Sequence, residues 1–344
     1  MLRTGSGADA FPRPGGTPRY TQRAAGSAEG SGVTAYLGRR VVGLLVTLFL
    51  ISIAVFAVLT VIPGDPAQMV LGADADPAAY QATRVRLGLD RPAVSRYLAW
   101  LARAVRGDLG RSLYQERPVS SLIGARLGLT AALTAFATLL ALIVGIPLGA
   151  FAATHRGRAG DLVGRLLVQA GMIVPEFWVG ILLVLVFSIL LHWFPAGGFP
   201  GWSTGGAVAA LLLPAVALSL PRAAVLGRMT RASLLEVLEE PYIAVARAKG
   251  LSGFVVLYKH ALKNALIALV TVLGLLVAQL VAGSIIIESV FYLPGLGRLV
   301  VQAIGERDLP VVQGAIVVIA LLIALVNFGV DLIYGFLDPR VRYR

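Results

Sequence analysis

Between two long apolar blocks the chain reads Glu240-Pro-Tyr-Ile-Ala-Val-Ala-Arg-Ala-Lys-Gly-Leu251, followed by Ser252-Gly-Phe-Val-Val-Leu-Tyr-Lys-His-Ala-Leu-Lys-Asn-Ala-Leu266. This stretch contains all 3 lysines of the protein. A proline is favoured in the first turn of a helix, a glycine commonly ends one, and a serine caps the next. Pro241, Gly250 and Ser252 therefore predict a helix of about two turns, a break, and a longer helix that enters the next apolar block.

Two interpretations of the short helix remain open from this pattern. Its alanines (Ala244, Ala246 and Ala248) and its cationic end favour a segment that docks into another protein. The same residues also fit an ordinary solvated loop between two spans.

The composition indicates a polytopic membrane protein. The chain of 344 residues is 57% hydrophobic and only 14% charged, with a mean hydropathy of +0.82, whereas soluble domains carry about 25% charged residues. Its net charge of +12 comes from 27 arginines and 3 lysines. In a membrane protein such an excess indicates cytoplasmic loops beside anionic lipid rather than nucleic-acid binding. The absence of cysteine excludes disulfides and thiolate metal sites.

We expect an all-α fold with six transmembrane helices. The apolar runs, each near or above the ~20 residues that cross a bilayer, cover about 41–62, 127–154, 162–193, 207–225, 265–287 and 310–336. The corresponding organisation is a disordered N-terminal tail (1–34), a first transmembrane helix (35–62), an extracytoplasmic helical loop (63–126), a core of five helices (127–337) with a loop at about 228–264, and a C-terminal tail (338–344). The organised part begins near Val33, and one hypothesis is that translation starts there at a non-ATG codon.

The charges of the short loops predict that both termini are cytoplasmic. The loop at 155–165 has three basic residues and one acidic residue, and the loop at 222–263 has seven against three. The loop at 194–206 on the opposite side has no charge. The loop at 65–126 carries nine arginines, but the positive-inside rule loses force for loops of this length; its periodicity predicts short helices, for instance at 93–105.

No catalytic motif is present. Nothing matches the phosphate-binding Gly-x-x-x-x-Gly-Lys-Ser/Thr loop, and the three histidines lie far apart in sequence. We therefore expect neither an enzyme nor a cofactor or metal bound by this chain. Two carboxylates in apolar surroundings, Glu176 after Pro175 and Glu288 at the end of the fifth span, are candidates for the translocation path. For Glu176 the alternative is a structural pairing with an arginine, and for Glu288 it is a residue at a helix end.

Taken together, the motifs resemble a known family. From about Val33 to Arg344 the chain is similar to the inner-membrane permease subunits of binding-protein-dependent ABC importers, specifically the first permease of the dipeptide, oligopeptide and nickel branch. The residues that carry the resemblance are Pro63-Gly-Asp-Pro66, Leu87-Gly-Leu-Asp-Arg-Pro92, Arg96-Tyr97, Trp100-Leu101, Gly107-Asp-Leu-Gly-Arg-Ser112, Pro118-Val119, Pro147-Leu-Gly149, Ala246-Arg-Ala-Lys-Gly-Leu251, His260-Ala-Leu-Lys-Asn-Ala-Leu266, Pro294-Gly-Leu-Gly297, Arg307-Asp308 and Leu337-Asp-Pro-Arg340.

The resemblance implies an ABC transmembrane type-1 fold and an ATPase-coupling loop. The residues that it assigns to this loop are Tyr242, Ala246, Arg247, Ala248, Lys249, Gly250, Leu251 and His260. Ala244 stands where the family signature has an acidic residue.

The implied partners are a second homologous permease, two cytoplasmic ATP-binding subunits that use ATP, an extracytoplasmic solute-binding protein and the lipid bilayer of the cytoplasmic membrane. The implied cargo is a di- or oligopeptide. Nickel or another small solute is the alternative, and a secondary transporter or channel is an alternative of a different class.

Overall fold

The computed structural model describes residues 28–61, 65–72 and 76–337 of the chain, and within these ranges the protein is built of helices with no strand longer than an isolated bridge between Arg111 and Pro118. The expected tails at 1–27 and 338–344 lie outside the described residues.

The helices follow one another with short connections. They are α1 (Ala28–Val61), α2 (Pro66–Leu71), α3 (Pro77–Arg86), α4 (Ala93–Ala104), α5 (Val119–Thr154), α6 (Ala159–Ile173), α7 (Glu176–Leu183, continued by π-helical turns over Val184–Leu190), α8 (Ala207–Leu238), α9 (Pro241–Ala248), α10 (Gly253–Val255, continued by π-helical turns over Val256–Ala261), α11 (Leu262–Val290), α12 (Leu296–Gly305) and α13 (Leu309–Leu337).

Helices α1, α5, α8, α11 and α13 are each long and apolar enough to cross a membrane. A sixth span results if α6 and α7, which are bent by 98° at a short break, count as one crossing. This number agrees with the six spans expected from the apolar runs. The break lies at Pro175, as the sequence predicts, because a proline disfavours helical geometry in the preceding residue.

The two longest helices of the core, α5 and α8, pack closely through small residues. Gly145 and Gly149 of α5 lie against the backbone of Ala223 and Gly227 of α8, and a side chain at either α5 glycine would collide with a carbonyl oxygen there. Glycines four residues apart let two membrane helices approach at backbone contact. This contact positions α8, which continues directly toward α9.

Three helix boundaries differ from the expectation. Helix α1 begins at Ala28, so residues 28–34 of the expected tail are helical. Helix α5 begins at Val119 rather than near 127, and it includes Arg126, whose Nη1 donates to the carbonyl of Leu122. Both extensions contain polar or charged residues and continue an apolar helix. Uncharged runs in the sequence therefore do not reveal them.

Helix α8 also differs, because it extends to Leu238 instead of ending near 225. The expected loop at 228–264 therefore starts with the last turns of α8. Arg231, which lies beyond the expected end of this span, donates to both carboxylate oxygens of Asp161 at 2.8 and 2.9 Å. This pair ties α8 to α6 and satisfies the charge inside the protein.

Helix α12 was not anticipated from the sequence. Its buried residues Leu296, Leu299, Val300 and Ala303 join a core cluster with residues of α5 and α13. The helix is amphipathic and shorter than a membrane span, so a search for long apolar runs misses it.

Candidate functional site

The short helix α9 and the turns that follow it form the candidate site. Helix α9 has 8 residues, with Pro241 in its first turn and Glu240 in extended geometry before it. Gly250 has a φ of +76°, a left-handed conformation that favours glycine and ends the helix. Ser252 accepts a hydrogen bond from the backbone N–H of Val255 and so caps α10. The prediction of a short helix, a glycine break and a second capped helix is confirmed.

One face of α9 anchors the helix on the protein core. Ile243 is fully buried and Ala246 almost so, and both belong to a cluster that contains Ala150 and Ala153 of α5 and Leu234 of α8. Burying an aliphatic side chain of this size contributes roughly 2 kcal/mol. The same cluster contains Val256 and Ala261 of the turns that follow α10. Helix α9 is therefore anchored in a core that it shares with α5 and α8, and is not only connected to α8 through the chain.

A hydrogen-bonded link joins α9 to the start of α11. Asn264 donates to the hydroxyl of Tyr242 at 2.6 Å and to the backbone carbonyl of His260 at 3.2 Å. Tyr242 and His260, both expected in the coupling loop, are thus brought together by a third residue. A displacement of α9 would pull directly on the first turn of α11.

The opposite face of α9 is open. Val245, Arg247, Ala248, Lys249 and Leu251 are exposed. Within the described part of the chain no salt bridge is recorded for Arg247 or Lys249. Two uncompensated cations beside exposed apolar side chains form a surface suited to an acidic partner with an apolar centre.

Two aromatic residues extend this open surface and were missed by the sequence analysis. Phe254 is 72% exposed, and its ring lies 4.5 Å from that of Tyr258, which is also exposed. Aromatic side chains at i and i+4 directly after a capping serine were the available signal, because that spacing places them on one helix face. Exposed aromatic pairs are typical of interface centres.

Glu176 forms an ion pair at the bend between α6 and α7. Its Oε2 lies 2.5 Å from Nη1 of Arg222 on α8, and the two side chains are only 13% and 15% exposed. Arg222 also donates to the backbone carbonyl of Gln279 on α11 at 3.0 Å. The arrangement matches the alternative expected for this residue, a pairing with an arginine, and it joins α7, α8 and α11; a path-lining role stays a prediction.

Glu288 is fully buried at the end of α11. It accepts hydrogen bonds from the hydroxyl of Thr130 at 2.6 Å and from the backbone N–H groups of Gly297 at 2.7 Å and Arg298 at 3.2 Å. The N-terminus of a helix favours a negative group, and these amides begin α12. This geometry matches the alternative expected for Glu288, a residue at a helix end. Glu288 and Glu176 share no hydrogen-bond partner among the described residues.

Two motif segments that are far apart in sequence, the one that ends at Ser112 and the one at Arg307-Asp308, meet at the side chain of Asp308. The carboxylate of Asp308 accepts hydrogen bonds from the hydroxyl of Ser112 and from the backbone N–H groups of Leu113 at 3.2 Å and Tyr114 at 3.4 Å. Asp308 is almost completely buried just before α13. It fastens the loop that precedes α5 to the beginning of α13.

Comparisons with known proteins identify the family to which this architecture belongs. Residues 145–343 match the family model described as the inner membrane component of binding-protein-dependent transport systems, and residues 33–134 match the model of the N-terminal part of such membrane components. A provisionally named peptide transport system permease protein of Brucella abortus (strain 2308) is 42% identical over 90% of this chain and 100% of its own length. The glutathione transport system permease protein of Escherichia coli (strain K12) is 40% identical over 90% of this chain and 99% of its own length.

A solved structure shows the same fold. Inward-facing MetNI, a methionine ABC transporter, matches with a TM-score of 0.52 and 22% identity, covering 65% of this chain and 97% of that chain. The matched family models, the full-length relatives and the helical architecture agree. The chain belongs to the family of binding-protein-dependent transport system inner membrane components, and it is a multi-pass permease subunit of an ABC importer.

Proposed function

We propose that this chain is the permease subunit of an ATP-driven peptide importer, with α9 as the helix that receives the motion of a separate ATPase subunit. The single observation that carries the proposal is the two-sided character of α9. Its inner face is buried in a core cluster that it shares with α5 and α8, whereas its outer face presents apolar side chains and two cations without a salt-bridge partner among the described residues. A helix that is rigidly mounted on the spans and open on the other side can transmit a displacement.

The proposed assembly comprises this chain, a second homologous permease, two ATP-binding subunits and a solute-binding protein. The side of the membrane follows from the charges: α9 and both termini lie in the cytoplasm, and α2, α3 and α4 lie outside. In this assembly ATP hydrolysis takes place on the partner subunits, and this chain contributes the path between the spans.

The docking step is tested with Arg247→Glu in the assembled transporter. Reversing this free charge should weaken attraction to an acidic groove on the ATPase and reduce uptake at least severalfold, while the subunit still inserts and purifies. The measurement is the ratio of peptide uptake to ATP hydrolysis in proteoliposomes.

Gly250→Asp tests the same step through the backbone, because a side chain at a φ of +76° is strained. Gly253→Ala is its matched control, since a Cβ there meets no other atom within 4 Å and the residue has no positive φ. Unchanged uptake and hydrolysis in Arg247→Glu and Gly250→Asp, at normal membrane levels, would contradict the role of α9.

The cargo class is proposed from the relatives, whose names state peptide and glutathione transport for those proteins. Calorimetry of the cognate solute-binding protein with short peptides and with Ni²⁺ discriminates peptide import from the nickel alternative. Binding of Ni²⁺ without peptide binding would overturn the cargo and leave the role of α9 intact.

A further inference from the structure

A cationic cavity lies at the ends of two membrane spans, away from α9. It has a volume of about 680 Å³ and is lined by the end of α1, by α4, by the loop at 108–116 and by the beginning of α13. Four arginines line it, namely Arg86, Arg96, Arg103 and Arg111, together with the carboxylates of Asp108 and Glu116. The lining thus has an excess of two positive charges.

The arginines of this cavity have no carboxylate partner. No salt bridge joins any of the four to an acidic residue within the described ranges. The contacts that they do make are neutral: Arg111 donates to the backbone carbonyl of Glu116, and the guanidinium of Arg96 lies 5.9 Å from the ring centre of Phe56. Their guanidinium groups can therefore bind an anion.

Two buried donors in the same lining also lack a partner. Trp100 and Gln313 are each 7% exposed, and within the described residues neither the indole N–H nor the side-chain amide nitrogen has a hydrogen-bond acceptor. A buried donor without a partner destabilises the protein. The protein itself therefore leaves part of the hydrogen-bonding capacity of this wall unused.

Helix α4 places the cavity beside a membrane span. Its Tyr97 and Trp100 are buried, and the Tyr97 hydroxyl is hydrogen bonded to Ser52 of α1 at 2.8 Å. Ser52 lies 9 residues before the end of α1 at Val61, which corresponds to about 14 Å along the helix. Helix α4 therefore packs beside the apolar span, and not above it.

Helix α4 also has an exposed apolar stripe. Val94, Leu98 and Val105 lie on one side of the helix and its last turn, and all three are more than half exposed. Arg96 and Arg103 lie on the opposite side of the helix, and an amphipathic helix with an apolar stripe and a cationic polar face is typical of one that lies in the membrane interface. Arg96 and Arg103, seven residues apart, hold their charges on the cavity side.

We propose that this cavity binds the headgroup of an anionic phospholipid. The phosphate lies among Arg96, Arg103 and Arg111, because guanidinium groups pair with phosphate oxygens in a two-pronged geometry. An acyl chain follows the exposed apolar residues at the end of α1, Val58 and Val61. A free phosphate would satisfy the arginines but would leave these apolar residues uncovered.

The test is native mass spectrometry of the assembled transporter, extracted from nanodiscs that contain phosphatidylglycerol and phosphatidylcholine. The cavity variant is Arg96→Gln with Arg103→Gln. Its matched control is Arg91→Gln with Arg106→Gln, two exposed arginines of the same segment that do not line the cavity. Both variants remove two charges, so a general loss of attraction to anionic lipid affects them equally.

We expect the wild type and the control to retain phosphatidylglycerol and the cavity variant to retain at least about tenfold less, because only this variant removes guanidinium groups that form charge-assisted hydrogen bonds to the phosphate. A second readout is the fluorescence of Trp100, which becomes the only tryptophan of this subunit after the exposed Trp178, Trp193 and Trp202 are replaced by Phe. Brominated phosphatidylglycerol should quench its fluorescence more than brominated phosphatidylcholine.

Three outcomes would overturn the proposal. One is equal lipid retention in all proteins. Another is a Trp100 signal that responds to millimolar inorganic phosphate and to neither brominated lipid, which would make the ligand a free anion. The third is unchanged lipid retention in the cavity variant together with weaker binding of the solute-binding protein, which would make the site a protein contact. None of these readouts depends on which solute is transported.

Discussion

At the scale of single residues, Glu288 is a buried carboxylate whose partners are all structural. Replacement by alanine leaves the hydroxyl of Thr130 and the N–H groups of Gly297 and Arg298 without their acceptor. We expect Glu288→Ala to destabilise the subunit by roughly 3 kcal/mol, seen as a lower apparent melting temperature and less monodisperse protein on size exclusion.

The matched control for this prediction is Glu306→Gln, which removes an exposed carboxylate at the end of α12. It should leave the melting temperature unchanged. A Glu288→Ala protein that is as stable as the wild type but transports a different range of solutes would show that Glu288 contacts cargo.

Asp65 gives a residue-scale prediction of pH dependence. Its carboxylate accepts from the hydroxyl of Tyr80 at 2.6 Å and from the N–H of Ala67 at 2.8 Å, and it pairs with Arg84. The hydrogen bond from Tyr80, above all, lowers the pKa of Asp65 below its usual value, and the Ala67 amide and the Arg84 charge act in the same direction against desolvation. The ionised form is therefore the one that stabilises the packing of α2 on α3.

The sign of the effect follows from that lowered pKa. The stabilisation is complete above the unfolded-state value near 4, and it is lost as the pH falls through the lower folded-state value. Hydrogen-exchange protection of α2 and α3 should thus be constant from about pH 5 upward and fall below about pH 4. Asp65→Asn should lose protection at all these pH values, whereas Asp76→Asn, whose side chain makes no capping bond, should behave like the wild type.

At the scale of elements, the sequence predicts α9 well and the ends of α5 and α8 poorly. Pro241, Gly250 and Ser252 act on their own backbone, so their effect is local and visible in the sequence. Arg126 and Arg231 also lie inside helices: Arg126 donates to the backbone carbonyl of Leu122 one turn earlier, and Arg231 pairs with Asp161 of α6. The partner of Arg231 is known only once α6 is placed, and apolar runs alone end both helices too early because each is interrupted by a charge.

The close approach of α5 and α8 yields an element-scale prediction. Gly149→Leu places a side chain against the carbonyl of Gly227 and the side chain of Thr230. Because backbone cannot move aside as a flexible side chain does, we expect a destabilisation of at least about 2 kcal/mol and a loss of folded subunit on size exclusion. Gly128→Leu on the same helix has no atom within 4 Å of its Cβ and should be tolerated; equal yields of the two variants would contradict the packing argument.

At the scale of the whole molecule, the bent pair α6–α7 holds α8 at two places. Asp161 on α6 binds Arg231, and Glu176 on α7 binds Arg222. Helix α8 leads through two residues into α9, whose inner face is fixed to α5 and α8. A force applied at α9 therefore reaches both arms of the bent pair. The proline break and Glu176 are visible in the sequence, but Arg222 lies 46 residues from Glu176, so this link becomes visible only in the folded chain.

The last prediction concerns this link. Arg222→Ala leaves the Glu176 carboxylate, 13% exposed, without its cation, and removal of one partner of a largely buried pair costs about 3–5 kcal/mol. Glu176→Ala likewise strands Arg222. We expect each single variant to lower the melting temperature and to reduce uptake per ATP hydrolysed, because α7 no longer follows α8. The double variant Glu176→Ala with Arg222→Ala removes both charges, so its loss of stability should be clearly smaller than the sum of the single losses. Additive losses would mean that the pair is not energetically coupled, and normal stability with abolished uptake in Glu176→Ala alone would instead assign this carboxylate to the path of the solute.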